Sequence, residues 1–472
     1  MRLDLLLKGI DIIEVHGTID NVDIKAITHD SREVVPGALF FCLPGTTVDG
    51  HDFAAEAIEA GAVAIVCEKL LPVSVPQAIV GVNKARAIMA IIAARFFDYP
   101  SSRIKVIGVT GTDGKTTVTH MLASILQAHN WPTAVLGTLQ GVRTTPEAPI
   151  LQQALAGYLA EGKVAVSLEV SSHALVQHRV DAMRFEAAVF TNLSQDHLDF
   201  HGTMEAYFEA KATLFTSLRS KIGIVNADDV WGRKLLEREK SIVLHKFSLS
   251  DAKDLVLSPV GSKFIWEGVE ISLALTGRHN VANALAAAVT AKALGIPKET
   301  IAIGLAALKG VPGRFEPIEM GQSFSVIVDY AHTPSALEQV LRAARHVSSP
   351  GGRVLVVFGC GGQRDKAKRP LMGEISSLLS DVTILTSDNP RNEDPLDIIR
   401  QIQSGVTGSA QLVVQPDRFQ AITQALTAAK EGDVVIIAGK GHETGQSIAD
   451  QIISFDDRKI TREILKNIKG NC

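Results

Sequence analysis

Between about residues 20 and 90, short apolar runs are separated by turn clusters such as LPGTTVDGHD, which predicts a small α/β domain with exposed loops. After DYPSSR the pattern changes. KVIGV reads as a buried strand, a glycine-rich loop follows, and residues 115 to 130 read as a helix, so a second domain begins there. VAVSLEV, AAVFTN and KIGIVN then alternate with helical stretches such as MEAYFEAKATLFTSL, the order expected of a mostly parallel sheet covered by helices. The helical pattern breaks around VPGRFEP. Beyond it FSVIVDY, RVLVVFG, VTILT and DVVIIAG alternate with helices again, predicting a third, Rossmann-like domain with its own parallel sheet. The reading is therefore α/β in three domains: residues 1–90, a central phosphate-loop domain at 91–313, and residues 314–472. No internal repeat or low-complexity segment interrupts it.

At 472 residues the chain exceeds what one hydrophobic core supports, and 46% apolar with 21% charged residues is ordinary globular usage. The formal net charge of −4, without a long run of Lys and Arg, excludes the electrostatic footprint of a nucleic-acid binder. Cys42, Cys67, Cys360 and Cys472 lie far apart with no CxxC pair, which argues against a disulfide framework or a zinc site and fits a reducing compartment. MRLDLLLKGIDIIEV is broken by Lys8 and Asp11 before a signal-peptide core forms, and no stretch reaches the ~18 apolar residues of a membrane span. A cytoplasmic monomer that handles small molecules, without membrane insertion, is the expectation.

GVTGTDGKTT, Gly108 to Thr117, places glycines after a strand and a Lys-Thr pair where the next helix begins. Glycines let backbone N–H groups approach phosphate, the helix start adds positive potential, Lys115 can reach the outer phosphates and Thr116 can ligate magnesium. Five residues rather than four separate Gly108 from Gly114, and Asp113 brings a negative charge to an anion site. The competing reading is a glycine-rich turn; the strand before and helix after favour ATP.

Two further strand ends carry polar clusters: EVSSHALVQHR from Glu169 and NLSQDHLDFH from Asn192. Magnesium prefers oxygen ligands, with imidazole less usual. Alone, Asp196, His197, Asp199 and His201 read as a solvated turn; the phosphate loop in the same sheet shifts the balance towards a metal site. Lys211, on an amphipathic helix, reads as a solvated lysine by pattern.

These segments, with GRHNVANALAA, PGRFE and DYAHTP, resemble the Mur ligases in the right order along nearly the whole chain. The resemblance implies a first domain for the UDP end of the substrate, a central ATP domain and a third domain for the incoming amino acid. It implies an ATP loop of Gly111, Thr112, Asp113, Gly114, Lys115, Thr116 and Thr117, with Asn280, Arg314 and Asp329 also at the nucleotide. Glu169 and His197 are implied to help Thr116 hold Mg2+, and Lys211 to be carbamylated, which turns a cation into a further carboxylate. Outside the resemblance, Asn280, Arg314 and Asp329 read as a helix cap, a surface arginine and a strand-end aspartate. His197 and Asp329 are candidate bases by position only.

TTPEAP and SSHALVQHR resemble the Mur ligases acting on UDP-N-acetylmuramoyl-L-alanyl-D-glutamate. That implies Arg143, Thr144, Thr145, Ser171, Gln177 and Arg179 at this acceptor, with Ser31 and the loop Thr46, Thr47 and Val48 at its uridine end. Two departures stand out: Asp113 and Arg143 occupy positions where the family commonly has Asn.

In SDNPRNE, Pro390 stiffens a strand-end turn from which Arg391 projects; as bare pattern this is a turn held by Asp388 and Asn389. A guanidinium matches a carboxylate through two parallel hydrogen bonds, so Arg391 suits an amino acid with a second carboxylate. The motif resembles the Mur ligases that add meso-diaminopimelate rather than lysine, with Arg364, Gly439 and Glu443 completing the pocket and Glu443 facing the distal ammonium. The implied activity is an ATP-dependent amide ligation in peptidoglycan precursor synthesis, and hence in cell wall biogenesis, cell shape and division. The competing readings are another amide ligase, such as a folylpolyglutamate synthase, which lacks the SSHALVQHR and DNPR pair, and a nucleotide-binding regulator that makes no product.

Overall fold

The computed structural model describes residues 1–45, 48–69, 71, 77–141 and 143–470. The chain packs as two compact units, one of residues 1–108, 132–188 and 213–221, the other of residues 109–131, 189–212 and 222–472.

In the first unit a five-stranded sheet runs Ile12–His16, Ala78–Val82, Ala62–Cys67, Ala38–Phe41, Ala26–Thr28. The central strands ALFF and AVAIVC are apolar without a break because both sheet faces are covered. Leu39, Phe41, Val66 and Val80 point to one core with Leu3, Leu6, Met89 and Ile92, whereas Phe40, Cys42, Ile65 and Cys67 point to the other. The outer strand Ile12–His16 is the one that pairs antiparallel, and it is half exposed.

A six-stranded sheet is ordered Val243–Phe247, Ser220–Asn226, Phe185–Phe190, Lys105–Thr110, Ala165–Glu169, Thr133–Leu136. Its outer pairs, Thr133–Leu136 with Ala165–Glu169 and Ser220–Asn226 with Val243–Phe247, are parallel as the alternating pattern predicts. Lys105–Thr110 runs straight into the glycine-rich loop and the helix Lys115–Ala128.

The strands of the C-terminal part are ordered Glu316–Pro317, Ser325–Asp329, Val434–Ala438, Val354–Phe358, Val382–Leu385, Gln411–Val414. Val326 and Val328 face a core with Ala421, Ile422 and Leu465, while Ile327 faces Leu337, Leu341 and Ile399, so helices cover both faces. The expected parallel sheet is in fact mixed. The chain leaving PGRFEP doubles back and lays Glu316–Pro317 antiparallel on Ser325–Asp329, with Pro317 on the outermost strand where its missing N–H costs no ladder bond. The apolar pattern also passes over a three-stranded antiparallel meander, Lys253–Ser258, Gly261–Trp266 and Val269–Leu273, and a hairpin of Gly445–Ile448 with Gln451–Ser454.

Arg418 and Asp457, both fully buried, form a bidentate pair, Nε to Oδ1 at 2.9 Å and Nη2 to Oδ2 at 2.7 Å. Arg418 Nη2 also donates to the Ala438 carbonyl at 2.9 Å, so the pair fastens the last helix to the strand end that opens GKGHE. Among the described residues no helix is long and apolar enough to cross a membrane, and Cys42, Cys67 and Cys360 are free and buried.

Candidate active site

The phosphate loop is held from below. Gly111 has φ +148° and lies so close to Thr191 that an added Cβ would sit 1.9 Å from its Oγ1, so only glycine fits. The Thr191 hydroxyl donates to the Asp113 carbonyl at 2.7 Å, and the Asp113 amide donates to Asn192 Oδ1 at 3.0 Å. The Thr112 hydroxyl donates to the Ser194 carbonyl at 3.2 Å and is 3.2 Å from the Tyr207 hydroxyl. Lys115 Nζ folds over the loop onto the carbonyls of Gly111 (3.0 Å) and Thr112 (2.8 Å). Thr116 and Thr117 are buried in the first turn of Lys115–Ala128, and the N–H groups and dipole of a helix start favour an anion.

Lys211, read by pattern as a solvated lysine, is buried in the helix Met204–Ala212. The apolar residues Tyr207 and Phe208 share that interior, and the ammonium sits 4.6 Å from the Tyr207 ring centroid. Its Nζ donates to the Gly111 carbonyl at 2.8 Å. Burial, then the charge of Lys115, push its pKa well below the ordinary lysine value, outweighing Asp196 and Asp113. A buried lysine that gives up its proton is a nucleophilic amine rather than a point charge.

Asp196 is the electrostatic centre nearby. Lys368 Nζ lies 3.4 Å from its Oδ1, while His197 Nε2 and His332 Nε2 lie 3.3 and 3.9 Å from its Oδ2. Burial would raise this carboxyl, but Lys368, His197 and His332 win and hold it below the usual carboxylate range. His197 itself adopts φ +55° at the start of a short helix.

Arg314 reaches the loop directly: its Nη2 donates to Thr116 Oγ1 at 3.0 Å, and its guanidinium stacks 4.3 Å from the Tyr330 ring centroid. Asp329 accepts from the amides of Phe315 (2.6 Å) and Ala331 (2.7 Å), so both its oxygens brace the turn that presents Arg314. Burial nevertheless raises its pKa. Asn280 sits inside the start of the helix Arg278–Ala293, buried, donating to the Thr276 carbonyl at 2.9 Å.

The acceptor residues form a network in the first unit. Thr145, fully buried, donates to the Glu169 carbonyl at 2.8 Å and accepts from the Ser171 amide at 3.0 Å. Glu169 itself accepts from the amide and hydroxyl of Thr138, each at 3.0 Å, and that hydroxyl is 3.1 Å from Thr144 Oγ1. Arg179 donates to the Thr145 carbonyl at 2.8 Å and to Gln177 Oε1 at 2.6 Å. Arg179, Arg143 and Arg86 all reach the buried carboxylate of Glu147, Arg179 at 2.9 Å and Arg86 at 3.5 Å. Ser31 lies in the turn Ser31–Glu33, Val48 is exposed, and Thr46 and Thr47 lie outside the described residues.

The third predicted group converges at the ends of Val382–Leu385 and Val434–Ala438. Asp388, Asn389 and Pro390 are buried, and Arg391 has φ +52° with Nη1 donating to the Gly362 carbonyl at 2.5 Å. Burial, then the neighbouring Arg364, hold the Arg391 guanidinium below its usual range, so two cations share the pocket. Gly439, φ +107°, leaves no room for a side chain, since a Cβ would lie 2.5 Å from Asp388 Oδ2. Glu443 accepts from Asn389 Nδ2 at 2.9 Å.

The Mur ligase middle domain matches residues 109–291, the glutamate ligase domain of Mur ligases residues 313–441, and the catalytic domain of the Mur ligase family residues 23–97. A UDP-N-acetylmuramoyl-L-alanyl-D-glutamate--2,6-diaminopimelate ligase of Halalkalibacterium halodurans is 43% identical, over 94% of this chain and 95% of that protein. The chain belongs to the Mur ligase family. A Geobacillus thermodenitrificans protein of the same name is 44% identical over 99% of both chains. A solved structure of a ligase of that name covers 99% of both chains at 33% identity and a TM-score of 0.68.

Among the described residues of this Mur ligase, no group of three or more His, Cys, Asp or Glu side chains gathers to hold a metal. Magnesium binds through few protein oxygens and keeps water and phosphate in its shell. Thr116 offers one hydroxyl and a carbamylated Lys211 would offer carboxylate oxygens beside the same loop. Sequence reading placed Asp196 in a solvated turn that the phosphate loop shifts towards a metal site, and did not single out His332, Lys368, Glu147, Tyr207 or Lys440. His332 lies in DYAHTP, Lys368 in QRDKAKRP and Lys440 in GKGHE, so the available signal was a charge or imidazole inside a strand-end motif.

Asp113 is the group from which a pH dependence is expected. Burial, opposed by Lys115, pushes its carboxyl from 3.8 up to about 6, and Thr333 donates to it at 3.3 Å. Because the folded value is raised, the folded chain holds this proton more tightly than the unfolded one. The group therefore disfavours the fold at neutral pH, and that cost fades as pH falls through about 6. The same charge opposes phosphate, so the KM for ATP should fall as Asp113 is protonated. Asp113→Asn should lower the neutral-pH KM for ATP about fivefold, the size of ~1 kcal/mol of repulsion, and flatten its pH profile. A KM for ATP that keeps the same pH slope in the variant would show that Asp113 is not its source.

Proposed function

We propose that this Mur ligase joins meso-2,6-diaminopimelate to the D-Glu γ-carboxylate of UDP-N-acetylmuramoyl-L-alanyl-D-glutamate, at the expense of ATP, in peptidoglycan precursor synthesis. The observation that carries the reading is the pocket holding Arg391 and Arg364 beside Glu443, on a chain aligned almost end to end with relatives of that name. Two guanidiniums and a carboxylate match an amino acid whose distal carbon bears both a carboxylate and an ammonium.

A carboxylate is a poor electrophile. An oxygen of the D-Glu γ-carboxylate attacks the γ-phosphorus of ATP, ADP leaves, and an acyl phosphate results. Lys115 and Arg314 balance the negative charge that spreads over the transferring group. The amine of diaminopimelate then attacks the acyl carbon, the tetrahedral intermediate expels inorganic phosphate, and the nitrogen loses a proton to give the amide. Mg2+, when bound, neutralises phosphate charge; Thr116, Glu169, His197 and a carbamylated Lys211 are the residues proposed to hold it. Asn280 and Asp329 set the nucleotide end through the turns they brace. Thr144, Thr145, Ser171, Gln177, Arg179 and Arg143 hold the acceptor, and Ser31 and Val48 its uridine end. The protein acts in the cytoplasm, as a monomer, on substrates held in aqueous solution.

Phosphate release with ATP, Mg2+ and the UDP-linked dipeptide, comparing meso-diaminopimelate with L-lysine and weighing the product, tests the reading. Turnover with diaminopimelate and an amide of the expected mass supports it. Equal use of lysine removes the role given to Arg391 and leaves the ligase; phosphate release that needs neither acceptor nor amine favours a nucleotide-binding regulator.

A further inference from the structure

Lys440 is wholly buried, and its ammonium spends all three protons inside the protein: on Glu443 Oε2 at 2.9 Å, Asn389 Oδ1 at 3.2 Å and the Gly445 carbonyl at 2.7 Å. A lysine so satisfied has nothing left for a substrate. Its three acceptors, however, join two parts of the amine-donor pocket: Asn389 in the DNPR turn, and Glu443 with the Gly445 carbonyl in the stretch that follows GKGH.

Asn389 Nδ2 donates to the same Glu443 Oε2, at 2.9 Å, so among the described residues these two bonds fall on one carboxylate oxygen. Burial alone would favour protonation of Glu443, but Lys440 and Asn389 outweigh it and keep the group ionised. Asn389 Oδ1 also takes the Ser447 amide at 2.9 Å. Arg391 continues the join: its amide donates to the Ser447 carbonyl at 3.0 Å and its carbonyl accepts from Ala449 at 2.8 Å. The DNPR turn is thus laid along the strand Gly445–Ile448, and the Lys440 ammonium is the knot between that turn and Glu443.

We propose that Lys440 is a positioning residue for donor specificity, holding Glu443 and the Arg391 turn at a fixed separation so that one end of the donor is recognised by its ammonium and its carboxylate together. The inference rests on the diaminopimelate reading above. Two-point recognition depends on the spacing of the two points, whereas a donor with only an ammonium at that end needs one point alone. Loosening the knot therefore harms diaminopimelate more than L-lysine.

The test uses the full-length chain with Lys440→Met, Lys440→Gln, Glu443→Gln and the double variant Lys440→Met/Glu443→Gln. Wild-type turnover with meso-diaminopimelate is measured first; if it is absent, the functional reading itself fails. With that in hand, Lys440→Met should raise the KM for diaminopimelate roughly tenfold to a hundredfold, as expected for loss of charge-assisted hydrogen bonds, while the KM values for ATP and the UDP-linked acceptor hold. The ratio of kcat/KM for diaminopimelate to that for lysine should fall. Because Lys440 acts through Glu443, the double variant should cost less than the product of the single losses. Lys440→Gln retains an amide donor and should lose less; it carries the test if thermal unfolding shows that Lys440→Met does not fold. An unchanged KM for diaminopimelate, a parallel rise for all three substrates, or losses that multiply would overturn the proposal and leave the ligase reading intact.

Discussion

Replacing Lys211 with Ala should reduce turnover on the order of 10²–10³-fold, the scale of removing one electrostatic stabiliser of a developing charge, with the fold retained. The size follows from position: the amine lies beside the Gly111 carbonyl of the phosphate loop and is among the fully buried side chains. Two roles compete for such a lysine. As an ammonium it would repel both Lys115 and a metal ion; as a neutral amine it can add to CO2, forming a carbamate N–C bond and releasing a proton. Burial and Lys115 both favour the neutral form. The carbamate role predicts more than inactivity. Formate or acetate should partly restore the Ala variant, since a small carboxylate can occupy the vacated space and supply the missing oxygens. Full activity of Lys211→Ala without added carboxylate, followed by phosphate release, would sink the carbamate and leave Lys211 a packing residue.

Replacing Arg391 with Leu should lower kcat/KM for meso-diaminopimelate by roughly 10²–10³-fold, the range found when one partner of a buried, hydrogen-bonded charge pair is truncated. Its effect on L-lysine should be small, and the KM for ATP should not move. Arg391 is half-buried, shares the pocket with Arg364 and already donates to the Gly362 carbonyl, so its fork is oriented before a ligand arrives. Arg391→Lys keeps the charge but loses the planar pair of donors, and should recover only part of the loss. Equal losses with both amines, measured by product mass, would mean that Arg391 holds the α-carboxylate common to all amino acids rather than the distal one.

Much of the site was legible because its chemistry is local in sequence. A strand, four glycine-rich positions and a Lys-Thr helix start are contiguous, and the loop at Gly111–Gly114 follows from them. DNPR likewise carries its turn and its guanidinium within four residues. Where the chemistry depends on burial, the pattern misled. Lys211 looked solvated because one lysine on an amphipathic helix usually is; only the tertiary packing of Tyr207 and the phosphate loop makes it a perturbed amine. Asp329 offered itself as a base by position, yet its two oxygens are committed to backbone amides. The antiparallel additions, Glu316–Pro317 and the hairpin after GKGHE, escaped because they are too short to imprint a period on the sequence.

The sequence by itself determined the α/β class, the alternation of strands with helices, the phosphate loop and the residue types that a carboxylate-bearing amino acid requires, since each of these is written in runs of neighbouring residues. Only the tertiary structure decided which charges are withdrawn from water. That choice sets Lys211 apart from an ordinary lysine, gathers Lys368, His197 and His332 around Asp196, and gives Lys440 its three internal partners. The physical reason is that desolvation depends on what packs against a group from distant parts of the chain, and no local pattern of apolar and polar positions records it.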